Sequence, residues 1–341
     1  MEKILECIPN FSEGQRPEVI EAIASEISAV PGCYLLHVDP GYSAHRTVMT
    51  MAGEPEAVIE AAFRAIQKAS LLIDMRQHKG VHPRMGATDV CPLVPVSGLN
   101  LKEADQYAQT LASRVGEELN IPVYLYESSA QRPERENLAI IRKGEYEGFR
   151  EKILQPDWQP DFGPATFHEK AGQTVIGARP FLAAYNFNLN TRSVHLASRI
   201  ARKVRESGYL QDQGGQKVRK KGRCPGMKAI GWYVEEYGIA QVSSNLTRLD
   251  QTPVHVAFEA VREEALKLGL RLTGSELIGL LPKSVLLEAG SFYLKRQGQP
   301  ETQEEGELMH VAVTSLGLND LAPFDLRERI IEYRLEDLAT P

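Results

Sequence analysis

The first half of the chain shows two hydrophobic periods, one typical of strands and one typical of helices. Short apolar segments predict four strands, at residues 3–8, 34–38, 45–51 and 90–96. Apolar residues three and four positions apart predict two helices between them. Pro17 opens one and Pro55 the other, because proline suits the first turn of a helix. The order strand, helix, strand, strand, helix, strand is that of the ferredoxin-like βαββαβ unit, in which both helices cover one face of a sheet.

Further elements are predicted around this unit. Asp39, Pro40 and Gly41 indicate a turn between the second and third strands. A helix over residues 104–119 and a strand over 123–126 follow the fourth strand. Residues 156–172 are rich in proline, glycine and aromatic side chains and have no period, which favours an ordered linker or a binding loop.

The second half repeats the same six elements without obvious residue identity to the first half. Strands are predicted at residues 181–189, 228–234, 240–246 and 272–277. Helices are predicted over 194–204 and from Pro253. We therefore expect an α/β (α+β) protein of two ferredoxin-like subdomains, with domains at 1–178 and 179–341.

The packing of these sheets follows from their uncovered faces. A sheet with helices on one face must bury its other face or expose a wide apolar area. We therefore expect the two sheets to face each other with the helices outside. A pocket between domains is also a common place for a small ligand.

Composition narrows the class of protein. The 341 residues are 43% hydrophobic and 25% charged, which is ordinary for a soluble globular protein. A net charge of −6 argues against a general nucleic-acid binder. The start lacks an apolar signal region and no apolar run reaches membrane-spanning length, so we expect a cytoplasmic protein that does not contact a membrane.

Three smaller features are interpreted as structural. The four cysteines are far apart and form no CxxC pair, so a zinc site or a disulfide framework is not expected. The basic run at 217–223 is most simply a solvated loop, and the acidic residues 297–307 an exposed linker. Residues 309–316 and 327–333 are predicted to be helices that dock on the body.

The densest candidate chemistry lies in residues 74–89, Asp-Met-Arg-Gln-His-Lys-Gly-Val-His-Pro-Arg-Met-Gly-Ala-Thr-Asp. Its proline and glycines exclude one regular helix and predict a shaped loop. The two histidines are open to three interpretations. They are structural groups, or metal ligands together with Asp74 at every fourth residue, or acid–base groups beside cations that hold an anionic substrate.

Five strings of residues, in order along the chain, resemble the glutamate formimidoyltransferase (glutamate formiminotransferase) family. They are Cys-Ile-Pro-Asn-Phe-Ser-Glu-Gly at 7–14, His-Lys-Gly-Val-His-Pro-Arg-Met-Gly-Ala-Thr-Asp-Val-Cys-Pro at 78–92, Pro-Asp-Phe-Gly-Pro at 160–164, Ala-Ile-Gly-Trp-Tyr at 229–233 and Glu-Arg-Ile-Ile-Glu-Tyr at 328–333. The resemblance implies two formiminotransferase subdomains, the first of which carries the catalytic loop. In animals the family is also found fused to a cyclodeaminase. No helical cyclodeaminase part follows here, so we expect the single-function form.

The resemblance implies an activity and its site. The expected reaction moves a formimidoyl group between N-formimidoyl-L-glutamate and tetrahydrofolate, a co-substrate, in histidine degradation. The catalytic histidine of the family falls on His82. The folate-contacting segment of the family falls on Gly163, Pro164, Ala165, Thr166, Phe167, His168, Glu169, Lys170, Ala171 and Gly172. The resemblance also implies a homodimer, and a separate cyclodeaminase is a possible partner. No metal and no nucleic acid are expected.

Four further residues are candidates near this chemistry. Asp39 either orients His82 and stabilises its charged form, or caps a turn. Arg46, Lys79 and Arg84 either bind the carboxylates of the amino-acid substrate or folate, or form surface ion pairs. Three rival functions remain open. The first two are a relative that moves a formyl group between 5-formyltetrahydrofolate and glutamate, and a folate-binding protein without catalysis. A metal-dependent hydrolase is a third rival.

Overall fold

Two separately packed units, Met1–Pro180 and Phe181–Pro341, make up the chain. The computed structural model describes residues 3–42, 45–80, 83–214, 216–235, 237–299 and 304–339. No helix in these ranges is both long enough and apolar enough to cross a membrane. Each unit is a mixed α/β fold and is described by itself below.

The first unit contains seven strands and five α-helices in its described part. The strands are β1 (Ile4–Cys7), β2 (Asn10–Phe11), β3 (Cys33–Gly41), β4 (Arg46–Gly53), β5 (Thr88–Ser97), β6 (Val123–Leu125) and β7 (Thr174–Ala178). The helices are α1 (Pro17–Ser28), α2 (Pro55–Leu72), α3 (Leu101–Leu119), α4 (Leu138–Ile141) and α5 (Glu145–Lys152). Short 3₁₀ turns lie at Glu127–Ser129, Pro133–Arg135 and Pro156–Trp158.

The sheet of this unit has the predicted ferredoxin-like order. Strands β1 and β2 lie between β4 and β5, and β3 pairs with the outer side of β4, all antiparallel. Beyond β5, strands β7 and β6 are added in parallel. The main core lies between this sheet and α1–α3, and includes Leu5, Ile23, Met51, Ile66, Leu93 and Leu111.

A second, smaller core covers the opposite face of β5–β7–β6 within the same unit. Val90, Tyr124 and Val175 from the strands pack against Ile141 and Phe149 of α4 and α5. The sequence analysis did not predict these two short helices. α4 has only four residues and α5 is largely polar, so neither carries a clear apolar period.

The second unit contains six strands and six α-helices in its described part. The strands are β8 (Ala183–Leu189), β9 (Tyr209–Gln213), β10 (Gln216–Lys220), β11 (Met227–Val234), β12 (Ile239–Leu246) and β13 (Leu272–Ile278). The helices are α6 (Val194–Val204), α7 (Val254–Leu266), α8 (Lys283–Arg296), α9 (Glu305–Ser315), α10 (Leu326–Arg329) and α11 (Ile331–Ala339). The main sheet is antiparallel in the order β11-β12-β8-β13, again ferredoxin-like.

The two faces of this second sheet differ in chemistry. Tyr185 and Phe187 of β8 enter the apolar core with α6 and α7, joined by residues of α8 and α9. The alternate β8 residue Asn188 is also buried, but it accepts a hydrogen bond from Gln241 at 2.8 Å. The same Gln241 amide lies 3.0 Å from the Glu276 carboxylate. One face is therefore a hydrocarbon core and the other carries a hydrogen-bonded polar layer.

Three local predictions were wrong. Residues 39–41 do not form a turn but continue β3, with Pro40 opposite Thr47. Because β3 is an edge strand, a proline there removes no required ladder bond. Residues 217–220 are not a loop but strand β10 of a two-stranded hairpin with β9. Helix α9 begins at Glu305, inside the predicted linker.

Candidate active site

The irregular connection between α2 and β5, residues 73–87 and here called the His78 loop, is held at its end by buried groups. The Ser12 hydroxyl donates to the Gly86 carbonyl at 2.7 Å. The Met85 amide donates to the fully buried Asp89 carboxylate at 3.0 Å. These two hydrogen bonds fix the end of the loop at Met85 and Gly86.

The 163–172 segment, where the resemblance implies folate contacts, lies directly against the His78 loop. Gly86 and Gly172 pair in an antiparallel bridge. A Cβ on Gly172, whose φ is +68°, would lie 2.3 Å from the Met85 carbonyl oxygen. A Cβ on Gly86 would lie 2.2 Å from the Gln173 carbonyl oxygen. Only glycine at both positions permits this approach of two backbones.

The start of the His78 loop is tied to the same segment. The Met75 amide donates to the Lys170 carbonyl at 2.8 Å, and the Lys170 ammonium donates to the Leu71 carbonyl at 2.6 Å. The segment therefore touches the loop at both ends. Its members are buried at 171 and 172, half-buried at 164, 167, 168 and 170, and exposed at 163, 165, 166 and 169.

His78 is a buried, neutral imidazole with both ring nitrogens engaged. Its Nε2 donates to the His45 carbonyl at 2.9 Å, and its Nδ1 accepts from Arg84 Nε at 3.3 Å. These two bonds together place the ring proton on Nε2. Burial lowers the pKa of His78, and the nearby His45 and Arg84 lower it further against the opposing hydrogen bond to the carbonyl.

His45 and Glu13 lie close together beside His78. The His45 ring lies edge-on to the His78 ring, with centroids 4.3 Å apart. Its Nε2 is 3.7 Å from a Glu13 oxygen, and its buried Nδ1 has no hydrogen-bond partner among the described residues. His45 has a φ of +49°, which is rare for a non-glycine residue. Such a backbone conformation persists only when the surrounding structure holds it in place.

Glu13 is fully buried and yet ionised. Its carboxylate accepts from the Gln15 amide at 2.9 Å, the Arg16 amide at 3.0 Å and Arg16 Nε at 2.6 Å. Burial would raise the pKa of Glu13, but these hydrogen bonds outweigh it and the pKa is lowered. A cavity of about 240 Å³ opens here; it is lined by Ser12, Arg16, His45, Ile73, Asp74, Gln77 and His78.

Arg84 joins the His78 loop to α5. Its guanidinium contacts the Glu147 carboxylate at 2.7 and 2.9 Å and the Glu145 carboxylate at 3.0 Å, besides its bonds to His78. On the same helix, the Tyr146 hydroxyl donates to the carbonyl of Glu169. Helix α5 therefore contacts both the His78 loop and the 163–172 segment.

The other predicted site residues occupy different environments. Arg46 is largely buried, with Nη1 2.6 Å from the Asp89 carboxylate, which Arg142 also contacts. Lys79 is exposed on the His78 loop, and Asp39 is exposed on β3. His82 lies outside the described residues, so the fold places only its neighbours in the chain.

Two residues of this site were missed by the sequence analysis. Glu13 lies within the string at 7–14 that carried the resemblance, so a signal for it existed. His45 showed no partner pattern in the sequence, because its partners come from positions distant in the chain. No group of three His, Cys, Asp or Glu side chains suited to a metal ion occurs in the part of the chain that the structure describes.

Comparison with known proteins covers nearly the whole chain. Residues 4–179 match the family described as "Formiminotransferase domain, N-terminal subdomain", and residues 184–336 match "Formiminotransferase domain". The formimidoyltransferase-cyclodeaminase of Rattus norvegicus is 49% identical over 337 residues, which are 99% of this chain and 61% of that protein. This chain thus spans about three fifths of the length of such relatives.

Shorter relatives match over most of their own length. The glutamate formimidoyltransferase of Streptococcus pyogenes serotype M1 is 44% identical over 86% of this chain and 94% of its own. That of Thermoplasma acidophilum is 38% identical over 87% and 94%. With both subdomains matched in order on two ferredoxin-like units, the chain belongs to the formiminotransferase family.

Proposed function

We propose that this protein transfers a formimidoyl group between N-formimidoyl-L-glutamate and tetrahydrofolate, giving 5-formimidoyltetrahydrofolate and L-glutamate, as a step in histidine degradation. Two relatives named glutamate formimidoyltransferase, 44% and 38% identical, support this activity. The main structural support for the proposed site is the β-bridge between Gly86 and Gly172. His82 precedes Gly86 by four residues, so the implied folate segment lies against the loop that holds it.

In this proposal His82 is the general acid and base. A tetrahydrofolate nitrogen forms a bond to the amidine carbon and loses a proton. The bond from that carbon to the glutamate nitrogen breaks, and this nitrogen must gain a proton. One imidazole can accept the first proton and deliver the second, and such help typically contributes about 10²–10⁴-fold. Holding the two substrates together contributes in addition.

The surrounding residues have distinct proposed roles. Asp39 stabilises the protonated form of His82. Lys79, exposed on the same loop, takes a substrate carboxylate. Arg46 and Arg84 already contact carboxylates of the protein. To bind a substrate carboxylate, each guanidinium would contact the protein carboxylate and the substrate carboxylate at the same time. Tetrahydrofolate is the co-substrate, and its proposed contacts are residues 163–172.

The decisive experiment mixes purified protein, tetrahydrofolate and formimidoylglutamate and follows the substituted folate by absorbance. His82→Ala should lower kcat by about 10²–10⁴-fold while the protein stays folded. His310→Gln, an exposed histidine on α9, is the matched control and should retain wild-type turnover. Near-normal turnover in a folded His82→Ala protein would exclude the proposed role.

Two further arms separate the rival functions. Faster turnover with 5-formyltetrahydrofolate and glutamate would replace the formimidoyl assignment by formyl transfer. Folate binding without either product would replace it by a non-catalytic folate-binding protein.

We also propose that the protein is a cytoplasmic homodimer and that a separate cyclodeaminase associates with it. Light scattering on the purified protein tests the dimer. Co-purification from cell extract tests for a separate cyclodeaminase.

A further inference from the structure

A basic cleft of about 510 Å³ lies in the second unit, between the ends of α6 and α7 and the base of the β9–β10 hairpin. Its volume falls in the range of small-molecule sites, about 300–1,000 Å³. Five of its nine lining residues are basic and one is acidic, although the whole chain has a net charge of −6. The basic residues are Arg199, Lys203, Lys221, Arg223 and Lys267.

The backbone around this cleft is fixed by close approaches. A Cβ on Gly208 would lie 1.8 Å from the Lys220 carbonyl oxygen, and a Cβ on Gly222 would lie 2.0 Å from the Arg205 carbonyl oxygen. Both positions therefore require glycine. These contacts seat the base of the hairpin on the end of α6, so the basic side chains around the cleft project from a fixed frame.

The charge of the cleft is not explained by the need to cap α6. The Arg223 amide donates to the Lys203 carbonyl at 3.1 Å, and the Cys224 amide donates to the Val204 carbonyl at 2.9 Å. Backbone groups thus satisfy the last carbonyls of the helix. Interaction with the helix dipole accounts at most for Lys203 and Lys267, which lie at helix ends.

Two of the five cations are neutralised and three are not. Arg223 pairs with Glu263 at 2.7 Å, and Lys267 pairs with Glu264 at 2.6 Å. Arg199, Lys203 and Lys221 form no ion pair with any carboxylate in the described ranges. The Lys203 ammonium instead lies 3.7 Å from the centroid of the Tyr209 ring. All three side chains are exposed, so the cleft presents unneutralised positive charge to solvent.

We propose that this cleft binds a soluble ligand with two or more linked phosphate groups, such as a nucleoside di- or triphosphate. Phosphates match its groups better than a planar carboxylate does. The fork of Arg223, which could hold a planar carboxylate by two bonds, is already used by Glu263 and Glu264. The unpaired lysines are rotatable point charges that suit tetrahedral phosphates. Leu268, which is partly exposed, adds an apolar wall for a ring.

Isothermal titration of the full-length protein with inorganic tripolyphosphate tests this site. Sub-millimolar binding at low salt is expected, weakened at high salt. Lys203→Gln/Lys221→Gln should weaken binding about 10- to 100-fold, which is about 1.4–2.8 kcal/mol, because two unpaired charges are lost. Lys217→Gln, on exposed β10 outside the cleft, is the control and should bind as wild type.

A second variant, thermal melts and titrations with ATP and citrate complete the test of this cleft. Arg199→Gln is a second variant and should weaken binding in the same direction. Thermal melts should show all variants folded, with tripolyphosphate raising the Tm of the wild type and of Lys217→Gln more than that of the cleft variants. ATP binding at least as tightly as tripolyphosphate supports a nucleotide source. Absence of binding, equal affinity of wild type and double variant, or tighter binding of citrate would overturn the proposal, whatever the result for formimidoyl transfer.

Discussion

Replacing Arg84 by methionine removes the group that ties the His78 ring to α5. The change deletes two hydrogen bonds to His78, one to Nδ1 at 3.3 Å and one to the carbonyl at 3.2 Å. Each buried acceptor left without a donor costs about 1–3 kcal/mol. The ion pairs to Glu145 and Glu147, whose side chains are 42% and 65% exposed, contribute about 0–1 kcal/mol each. We expect a loss of about 3–5 kcal/mol in the free energy of unfolding.

Urea denaturation of wild type and Arg84→Met measures this loss. Glu147→Gln is the matched control, because it removes one exposed ion pair and leaves the bonds to His78 in place. The free energy of unfolding of Glu147→Gln should be lower than that of the wild type by about 1 kcal/mol or less. Arg84→Lys keeps the charge but not the fork, so its stability should lie between those of Arg84→Met and wild type.

The same substitution has a second readout in the His78 ring. Burial lowers the pKa of His78, and the positive charge of Arg84 adds to this effect. Removing that charge should raise the pKa, which an NMR titration of the histidine signals detects. A loss of stability below about 1 kcal/mol, with the His78 pKa unchanged, would refute the argument that Arg84 positions this ring.

Three other predictions concern the same unit and its pH dependence. Gly172→Ala should lower the free energy of unfolding, measured by urea denaturation, by at least about 1–3 kcal/mol because of the positive φ alone. It should also raise the KM for tetrahydrofolate. Gly306→Ala is the control, since a Cβ there meets open space, and it should not lower the free energy of unfolding. Arg135→Met removes a fully buried guanidinium from its ion pair with the largely buried Asp161 and should lower the free energy of unfolding by about 3–5 kcal/mol. Because the pKa of His78 is lowered, the unfolded chain takes up its proton first. Stability should therefore fall below about pH 6.5 by up to ~1.4 kcal/mol per pH unit, and His78→Gln should lack this part of the slope when melts at several pH values are compared.

Local pattern predicted most of the regular elements closely. The helix predicted over 194–204 is α6, Val194–Val204, and the strand predicted over 240–246 is β12, Ile239–Leu246. These elements bury one face against a core, so their apolar residues recur along the sequence at the period of a helix or a strand. The order of elements then indicated the ferredoxin-like topology, since few sheets accommodate that order.

Elements without such a period were missed. The β9–β10 hairpin is largely exposed, so its strands have no buried face to alternate against. Helix α8, also unpredicted, buries five residues of its fourteen and has a glycine at its contact with α9, where a Cβ on Gly290 would lie 2.1 Å from the Leu308 carbonyl. A tertiary contact, rather than local preference, selects the residue there.

The sequence by itself determined the chain's regular elements and the residues that carry its family resemblance, because both are properties of neighbouring positions. It located the loop around His78 and the segment ending at Gly172 as separate strings. Only the tertiary structure decided that these two meet backbone to backbone, and that Glu13 and His45 join them. Such contacts depend on how the sheet brings distant segments together, and no short-range period records that information.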